Sequence, residues 1–176
     1  MNKQPFILIL LWSIILLPIP ADAKSLNDAE VLDLLHNGFV VPTNADEVQV
    51  KKQLGQPIQT KTEAVVNPYS DRKDEVTRYI YSGLEITFCE CKNPESLWKR
   101  IVEIKVTDEK YKLNHGIRVG MSIGVVEKLF KGRDRQSWQS EGFNYGSFSI
   151  PNSVHDQVNF AVKNNTVKKV IWSNLP

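Results

Sequence analysis

Apolar residues recur every three or four positions in the segment that follows residue 24, which predicts helices there. Over residues 25–37 this spacing predicts a helix with Ser25 as its N-cap and Asp28 as its capping-box acid. A second helix is predicted from residue 43 or 44 to residue 54, because Gly55 and the nearby Pro57 are typical of a helix end. The segment therefore begins with two short helices.

From residue 78 the apolar spacing changes to two, which is the period of a β-strand with one buried face. The alternating apolar positions are Leu84, Ile86, Phe88, Val102, Ile104 and Val106. A turn-rich segment over residues 92–96 separates the two runs, so they predict an antiparallel hairpin. The opposite face of this hairpin is predicted to be exposed, and it carries Glu85, Thr87, Glu103 and Lys105.

The same order of elements returns about 70 residues later, which predicts an internal duplication. A helix that Ser122 caps and Gly132 ends precedes strands over residues 143–150, 158–162 and 167–173. The predicted fold class is α+β, with two tandem repeats of helix plus antiparallel sheet. The first repeat is expected over residues 24–112 and the second over residues 113–176.

Residues 1–23 have the pattern of a cleavable secretory signal peptide. Lys3 precedes an apolar run over residues 6–17, two prolines follow, and Ala21 and Ala23 form a small-residue cleavage site. The run is shorter than the roughly 20 apolar residues that span a bilayer, so no stable membrane anchor is predicted. We expect cleavage after Ala23 and export to the periplasm.

Composition narrows the classes of partner. The chain has 22 Lys and Arg against 20 Asp and Glu, without a dense basic tract, so nucleic acid is not an expected partner. No cofactor motif is present, and Ser153, His155 and Asp156 are too close along the chain to converge as a catalytic triad. The sequence therefore predicts no enzyme activity, no cofactor and no metal site.

Cys89 and Cys91 are the two cysteines of the chain, and an exported protein meets an oxidising environment. A local disulfide between them is the favoured interpretation, although residues two apart on a straight strand lie about 6.6 Å apart, near the limit that a disulfide can bridge. A redox-active thiol pair and a pair of soft metal ligands are the alternatives. No third ligand is evident for a metal.

Residues 133–148 combine aromatic and polar side chains, a mixture typical of recognition surfaces. For Trp138 and Tyr145 two interpretations remain open: contact with a partner, or closure of the end of the sheet. Phe143 is placed with the partner-contacting residues, whereas Phe148 is predicted to be core. The mixed-charge run over residues 71–75 is predicted to be a solvated loop.

The segment Gly116-Ile117-Arg118-Val119-Gly120-Met121-Ser122, with the apolar helix and Gly132 after it, resembles the opening motif of the β-lactamase-inhibitor-protein-like superfamily. That superfamily includes the outer-membrane-assembly lipoproteins of the BamE type. Residues 50–57 are similar to the helix ending of the same motif. The resemblance implies two lobes, each with helices on one face of an antiparallel sheet, whose sheets together form a concave, protein-binding surface. The chain lacks the lipid-bearing Cys of the lipoproteins and the usual Cys pattern of the tandem inhibitors.

The resemblance and the aromatic segment together favour an inhibitor or immunity-type protein that occludes an enzyme or toxin in the periplasm. The alternative is a scaffold component of envelope assembly, and a small-ligand carrier or an enzyme is a further alternative. The residues expected to contact the partner are Trp138, Phe143, Tyr145, Glu85, Thr87, Glu103 and Lys105.

Overall fold

The structure, a computed structural model, describes residues 24–67, 72–93, 96–148 and 156–174. Side chains are described throughout these ranges except for residues 91–98. The predicted signal peptide lies outside the described residues, so its cleavage stays a prediction. Within the described ranges, no helix combines the length and the apolar character needed to cross a membrane.

Within the described residues three α-helices form, α1 (Asp28–Asn37), α2 (Glu47–Leu54) and α3 (Ile123–Leu129), with a 3-10 turn at Asn114–Gly116. Ser122 caps α3, as predicted. The predicted start of α1 was wrong: Asn27 is the N-cap and forms a capping box with Glu30, while the Ser25 hydroxyl donates to the Lys131 carbonyl.

Helix α2 also begins later than predicted. Asp46 and Gln49 form its capping box, so the helix starts at Glu47 rather than near residue 44. Asn and Asp are equally good N-caps, and the sequence offers both within this segment. The choice between them depends on which side chain reaches a free backbone N–H.

In the part of the chain that the structure describes, eight strands form one antiparallel sheet in the order β1-β2-β3-β4-β8-β7-β6-β5. The strands are β1 (Gln59–Val66), β2 (Lys73–Tyr81), β3 (Leu84–Asn93), β4 (Ser96–Val106), β5 (Arg135–Ser140), β6 (Phe143–Phe148), β7 (Asp156–Lys163) and β8 (Thr166–Asn174). Each half of the chain supplies a four-stranded meander, and β4 pairs with β8 where the meanders meet. The α+β class is confirmed, but the separate sheets expected for the two halves are one continuous sheet.

The two edge strands, β1 and β5, are exposed along their whole length and were not predicted. The charged run over residues 71–75 was predicted as a loop, and this was wrong for Lys73, Asp74 and Glu75, which begin β2. Asp74 is buried and accepts a hydrogen bond of 2.9 Å from the Asn67 side chain. Asp71 lies outside the described residues.

The helices cover one face of the sheet and bury the main core against it. Phe130, which ends α3, stacks on Phe148 with ring centroids 4.6 Å apart, and Phe160 contacts both rings edge-on. Trp172 is buried in the same core. The prediction that Phe148 belongs to the core is therefore confirmed.

Gly83 makes the turn between β2 and β3 and helps to set the register of the central strands. Its φ of +76° favours glycine, and a Cβ at this position would lie 2.2 Å from the Cβ of Asp108. The Gly83 carbonyl accepts a hydrogen bond from the Thr107 amide just beyond β4. This packing holds Glu85 opposite Lys105 across β3 and β4.

Candidate functional site

The face of the sheet opposite α1, α2 and α3 is called here the helix-free face. On β3, Leu84, Ile86 and Phe88 point into the helix-covered core, so the residues between them point to the helix-free face. Residues that pair directly across two neighbouring strands lie on the same face, so the strand register gives the face of each residue on the other strands. The seven residues predicted to contact a partner all lie on the helix-free face: Trp138, Phe143, Tyr145, Glu85, Thr87, Glu103 and Lys105.

One end of the helix-free face, called the aromatic end, consists of Trp138, Phe143, Tyr145 and Lys169. The indole of Trp138 stacks on the Tyr145 ring with centroids 5.2 Å apart and planes within 7°. The Lys169 ammonium lies 4.6 Å from the centroid of Phe143 and 3.4 Å from the Glu141 carboxylate. The aromatic end therefore presents flat apolar surface beside a positive charge.

Trp138 and Tyr145, whose roles the sequence left open, differ in burial. Trp138 is 42% exposed, whereas Tyr145 is only 8% exposed although no described helix covers this face. The expectation that Tyr145 contacts a partner directly is corrected, because Trp138 covers its ring. Tyr145 instead supports Trp138 from below. Trp138 is thus the residue at this end best placed for contact.

The middle of the first meander carries a group of charged residues, called the charged centre, that spans β1 to β4. The Lys105 ammonium lies 2.8 Å from the Glu85 carboxylate, and the Arg78 guanidinium lies 3.6 Å from that of Glu63. Glu103 is a further member, and so is Lys61, which faces Arg78 on β1. With three acids and three bases, the charged centre has no formal net charge.

Thr87 and Glu103 face each other across β3 and β4 within the charged centre. Thr87 was expected to be exposed, and this was wrong: it is 5% exposed, and its hydroxyl has no hydrogen-bond partner. A β-bulge after Thr87 places Val102 as an extra residue of β4. Val102 packs with Cys89 and Val76 on the same face.

Glu103 follows Val102 of this small apolar cluster on β4. Burial raises the pKa of Glu103 above its usual range, and the positive charges of Lys105 and Arg78 offset only part of that rise. The negative charge of Glu85 acts in the same direction as burial. The helix-free face therefore holds a carboxylate that is poorly solvated and poorly neutralised.

The structure describes the side chain of one of the two cysteines. Cys89 is buried against Val76 and Val102 on the helix-free face. The backbone of β3 pairs regularly through Cys91, opposite Trp98, but the side chain of Cys91 lies outside the described residues. The Cys89–Cys91 disulfide stays a prediction.

Two clefts open beside the helices rather than on the helix-free face. One, of about 610 Å³, is lined by residues 26–29 and 131–133. The other, of about 510 Å³, lies between the end of α1 and the strands, and its lining includes His36, Arg100, Asp156 and Trp172. Neither cleft includes a residue predicted to contact a partner, and both linings are largely polar.

Sequence reasoning did not identify Val76, Arg78, Val102 and Lys169 as members of this face. Arg78 lies between the buried residues Thr77 and Tyr79, so a strand beginning at residue 73 would have placed it correctly. Val102 was assigned to the buried apolar face, and this was wrong, because the bulge turns it to the other side. A β-bulge cannot be recognised from the spacing of apolar residues along the strand.

No family model matches the chain, and no curated protein matches it. Among solved structures, the chain is similar to the uncharacterized protein yfeY from Escherichia coli, with 12% identity and a TM-score of 0.46 over 79% of this chain and 97% of that one. It is also similar to an extracellular protein containing a SCP domain from Bacillus anthracis str. Ames, with 10% identity and a TM-score of 0.47. That match covers 90% of this chain but half of the other protein. Likenesses of this size carry no inference about activity.

Proposed function

We propose that this chain is an exported protein-binding protein whose helix-free face docks onto a partner protein. The observation that carries the proposal is Trp138, a large and partly exposed aromatic ring held flat on a buried tyrosine. A supported aromatic side chain loses little conformational entropy on binding, which is why tryptophan is enriched among binding hot spots. The charged centre then supplies polar contacts on the same face.

We further propose that the two meanders are copies of one duplicated unit and that the helix-free face is concave. The strand order is symmetric about the β4–β8 pair, and residues 84–88 and 158–162 lie in the third strand of their meanders. Several polar side chains are buried on a face without a described helix over it: Thr87, Ser147, Asn159 and Ser173. Curvature toward that face brings neighbouring side chains over them, whereas a flat sheet leaves them open to solvent.

Within this class, an inhibitor or immunity-type protein of the periplasm is the favoured role. An exposed tryptophan ring at one end of the face, with a polar centre beyond it, suits contact with an enzyme or toxin and occlusion of its cleft. The envelope-assembly scaffold of the BamE type remains the alternative. Capture of one stoichiometric enzyme whose activity is lost in the complex supports inhibition, and recovery of a multi-component membrane assembly supports the scaffold.

The docking face is tested by affinity capture followed by a binding measurement with the captured partner. Replacing Trp138 with alanine is expected to raise the dissociation constant by at least about tenfold, because truncating a central hot spot costs about 2 kcal/mol or more. Val48→Ala is the matched control, since Val48 is an exposed apolar residue of α2 on the other side of the sheet. Equal affinity of wild type and Trp138→Ala would contradict the docking face.

A further inference from the structure

Thr87 and Glu103 present polar atoms that nothing in the described part of the chain satisfies. They lie directly opposite each other on β3 and β4, where the Cβ atoms of such a pair are about 4.5–5.5 Å apart. The buried Thr87 hydroxyl has no hydrogen-bond partner. Among the hydrogen bonds and ion pairs of the described residues, none reaches the Glu103 carboxylate.

The nearby cations do not satisfy Glu103 because each is already paired. Lys105 lies two residues away on the same strand, about 6.6 Å along it, and it bonds to Glu85 on β3 instead. Arg78 lies on β2 beyond Thr87 and reaches outward to Glu63 on β1. On the other side of β4, the facing residue is Ser173, which carries no charge.

Leaving these groups unsatisfied is costly for the isolated protein. A buried hydroxyl without a partner costs about 1–3 kcal/mol, and the partial burial of the Glu103 carboxylate adds a smaller penalty. Unsatisfied polar groups of a native structure occur at functional sites, where a ligand can remove the cost. The apolar residue Val102, which precedes Glu103 on β4, also lowers the local dielectric, so a cation placed there would interact more strongly with the carboxylate.

We propose that Thr87 and Glu103 form a receptor site for an arginine side chain that the docked protein projects onto the helix-free face. This inference rests on the proposed docking function. A guanidinium carries several N–H donors in a planar fork, so it donates to the carboxylate and the hydroxyl together. Lys105 and Arg78 are each paired with another glutamate, so a cation is the ligand that best complements the Glu103 carboxylate.

The site is tested without a partner by NMR titration of the protein purified after expression of the full sequence. The probe is N-acetyl-arginine amide, and the control probe is N-acetyl-citrulline amide, which has a similar shape but no charge. The arginine probe is expected to shift the Thr87 and Glu103 resonances saturably, with a dissociation constant of about 1–100 mM, as befits so small a ligand. The citrulline probe is expected to bind at least tenfold more weakly.

Variants then locate the binding. Glu103→Gln is expected to abolish the saturable shift at Thr87, and Thr87→Val is expected to weaken the shift at Glu103 several-fold. Glu109→Gln removes the same charge from an exposed residue beyond β4 and is expected to leave the binding unchanged. Equal response to the two probes, no response to either, or full binding by Glu103→Gln would overturn the site.

The outcome is separable from that of the docking proposal. If the arginine probe fails while Trp138→Ala still weakens partner capture, the arginine site is wrong and the docking face stands. If the probe binds at Glu103 but Trp138→Ala captures the partner normally, docking through the aromatic end is wrong and a cation site remains on the face. The Thr87→Val variant keeps the test decisive should Glu103→Gln fold poorly.

Discussion

Glu47 on the helix-covered side and Glu103 on the helix-free face have opposite environments. Burial alone would raise the pKa of Glu47, but hydrogen bonds from Lys99 and Tyr79 and the charges of Lys99 and Lys51 outweigh it and hold the pKa below its usual range. The Glu47 carboxylate lies 2.6 Å from the Lys99 ammonium. Glu103 has no such partner within the described residues, and its pKa is raised.

The apolar residues of the two faces differ in the same way. Phe130, Phe148 and Phe160 are enclosed by one another beneath α3, while Trp138 keeps much of its ring in solvent. The helix-covered face thus encloses its aromatic side chains, as a face that stabilises the fold does. The helix-free face instead leaves part of a large aromatic ring exposed to solvent.

The largest expected effect is at Phe160, which is fully buried on the helix-covered face. Phe160→Ala is expected to lower the free energy of unfolding by about 3–5 kcal/mol, because it removes a large ring and leaves a cavity. Denaturant unfolding measures this loss. Phe143→Ala, on the helix-free face, is the matched variant, and equal losses would mean that both faces contribute equally to the core.

A smaller loss of stability is expected at Trp138. Trp138→Ala removes the stacking on Tyr145, which contributes about 0.5–1.5 kcal/mol. Trp138→Phe keeps a ring over Tyr145 and should recover most of the loss in the same unfolding measurement. A loss as large as that of Phe160→Ala would show that Trp138 is a core residue rather than a contact surface.

The ion pair on the helix-covered side is expected to contribute less. Glu47→Gln should lower the free energy of unfolding at neutral pH by about 0.2–1 kcal/mol, since the pair is partly exposed. Because the folded-state pKa of Glu47 is lowered, this contribution is present above its unfolded pKa and is lost as pH falls through the folded pKa. The difference between wild type and Glu47→Gln should therefore shrink on acidification.

Glu103→Gln is expected to have the smallest effect, and one of opposite sign. The folded-state pKa of Glu103 is raised, so its charge destabilises the fold above that pKa, and this penalty disappears as pH falls through the folded value toward the unfolded one. The variant should be more stable than wild type at neutral pH and equal to it in acid. Unfolding curves from about pH 3 to about pH 8 give the free energy of unfolding of wild type, Glu47→Gln and Glu103→Gln. Equal destabilisation of the two variants would contradict the difference between the two faces.

The elements with a buried face were predictable from the sequence. Alternation over residues 84–88 identified β3, and Ser122 with the apolar residues after it identified α3. A buried face imposes a period on the sequence, because every second residue of a strand, or every third or fourth of a helix, must be apolar. The predictions of export and of a protein partner rest on other features and stay predictions.

The elements without a buried face were not predictable in this way. Strands β1 and β5 are exposed on both sides at the edges of the sheet, so no apolar alternation marks them. The start of β2 was missed for a related reason, since Lys73, Asp74 and Glu75 read as a charged loop. These residues form strands because their backbones pair with a neighbouring strand, not because they bury apolar side chains.

By itself the sequence determined that Glu85, Thr87, Glu103 and Lys105 point to one side of the sheet. Only the tertiary structure decided that β4 pairs with β8, that Trp138 covers Tyr145, and that Lys105 pairs with Glu85 rather than with Glu103. Side-chain direction follows from local backbone geometry, which neighbouring residues encode. Burial and charge pairing depend instead on strands that lie far apart in the chain and meet only when the sheet forms.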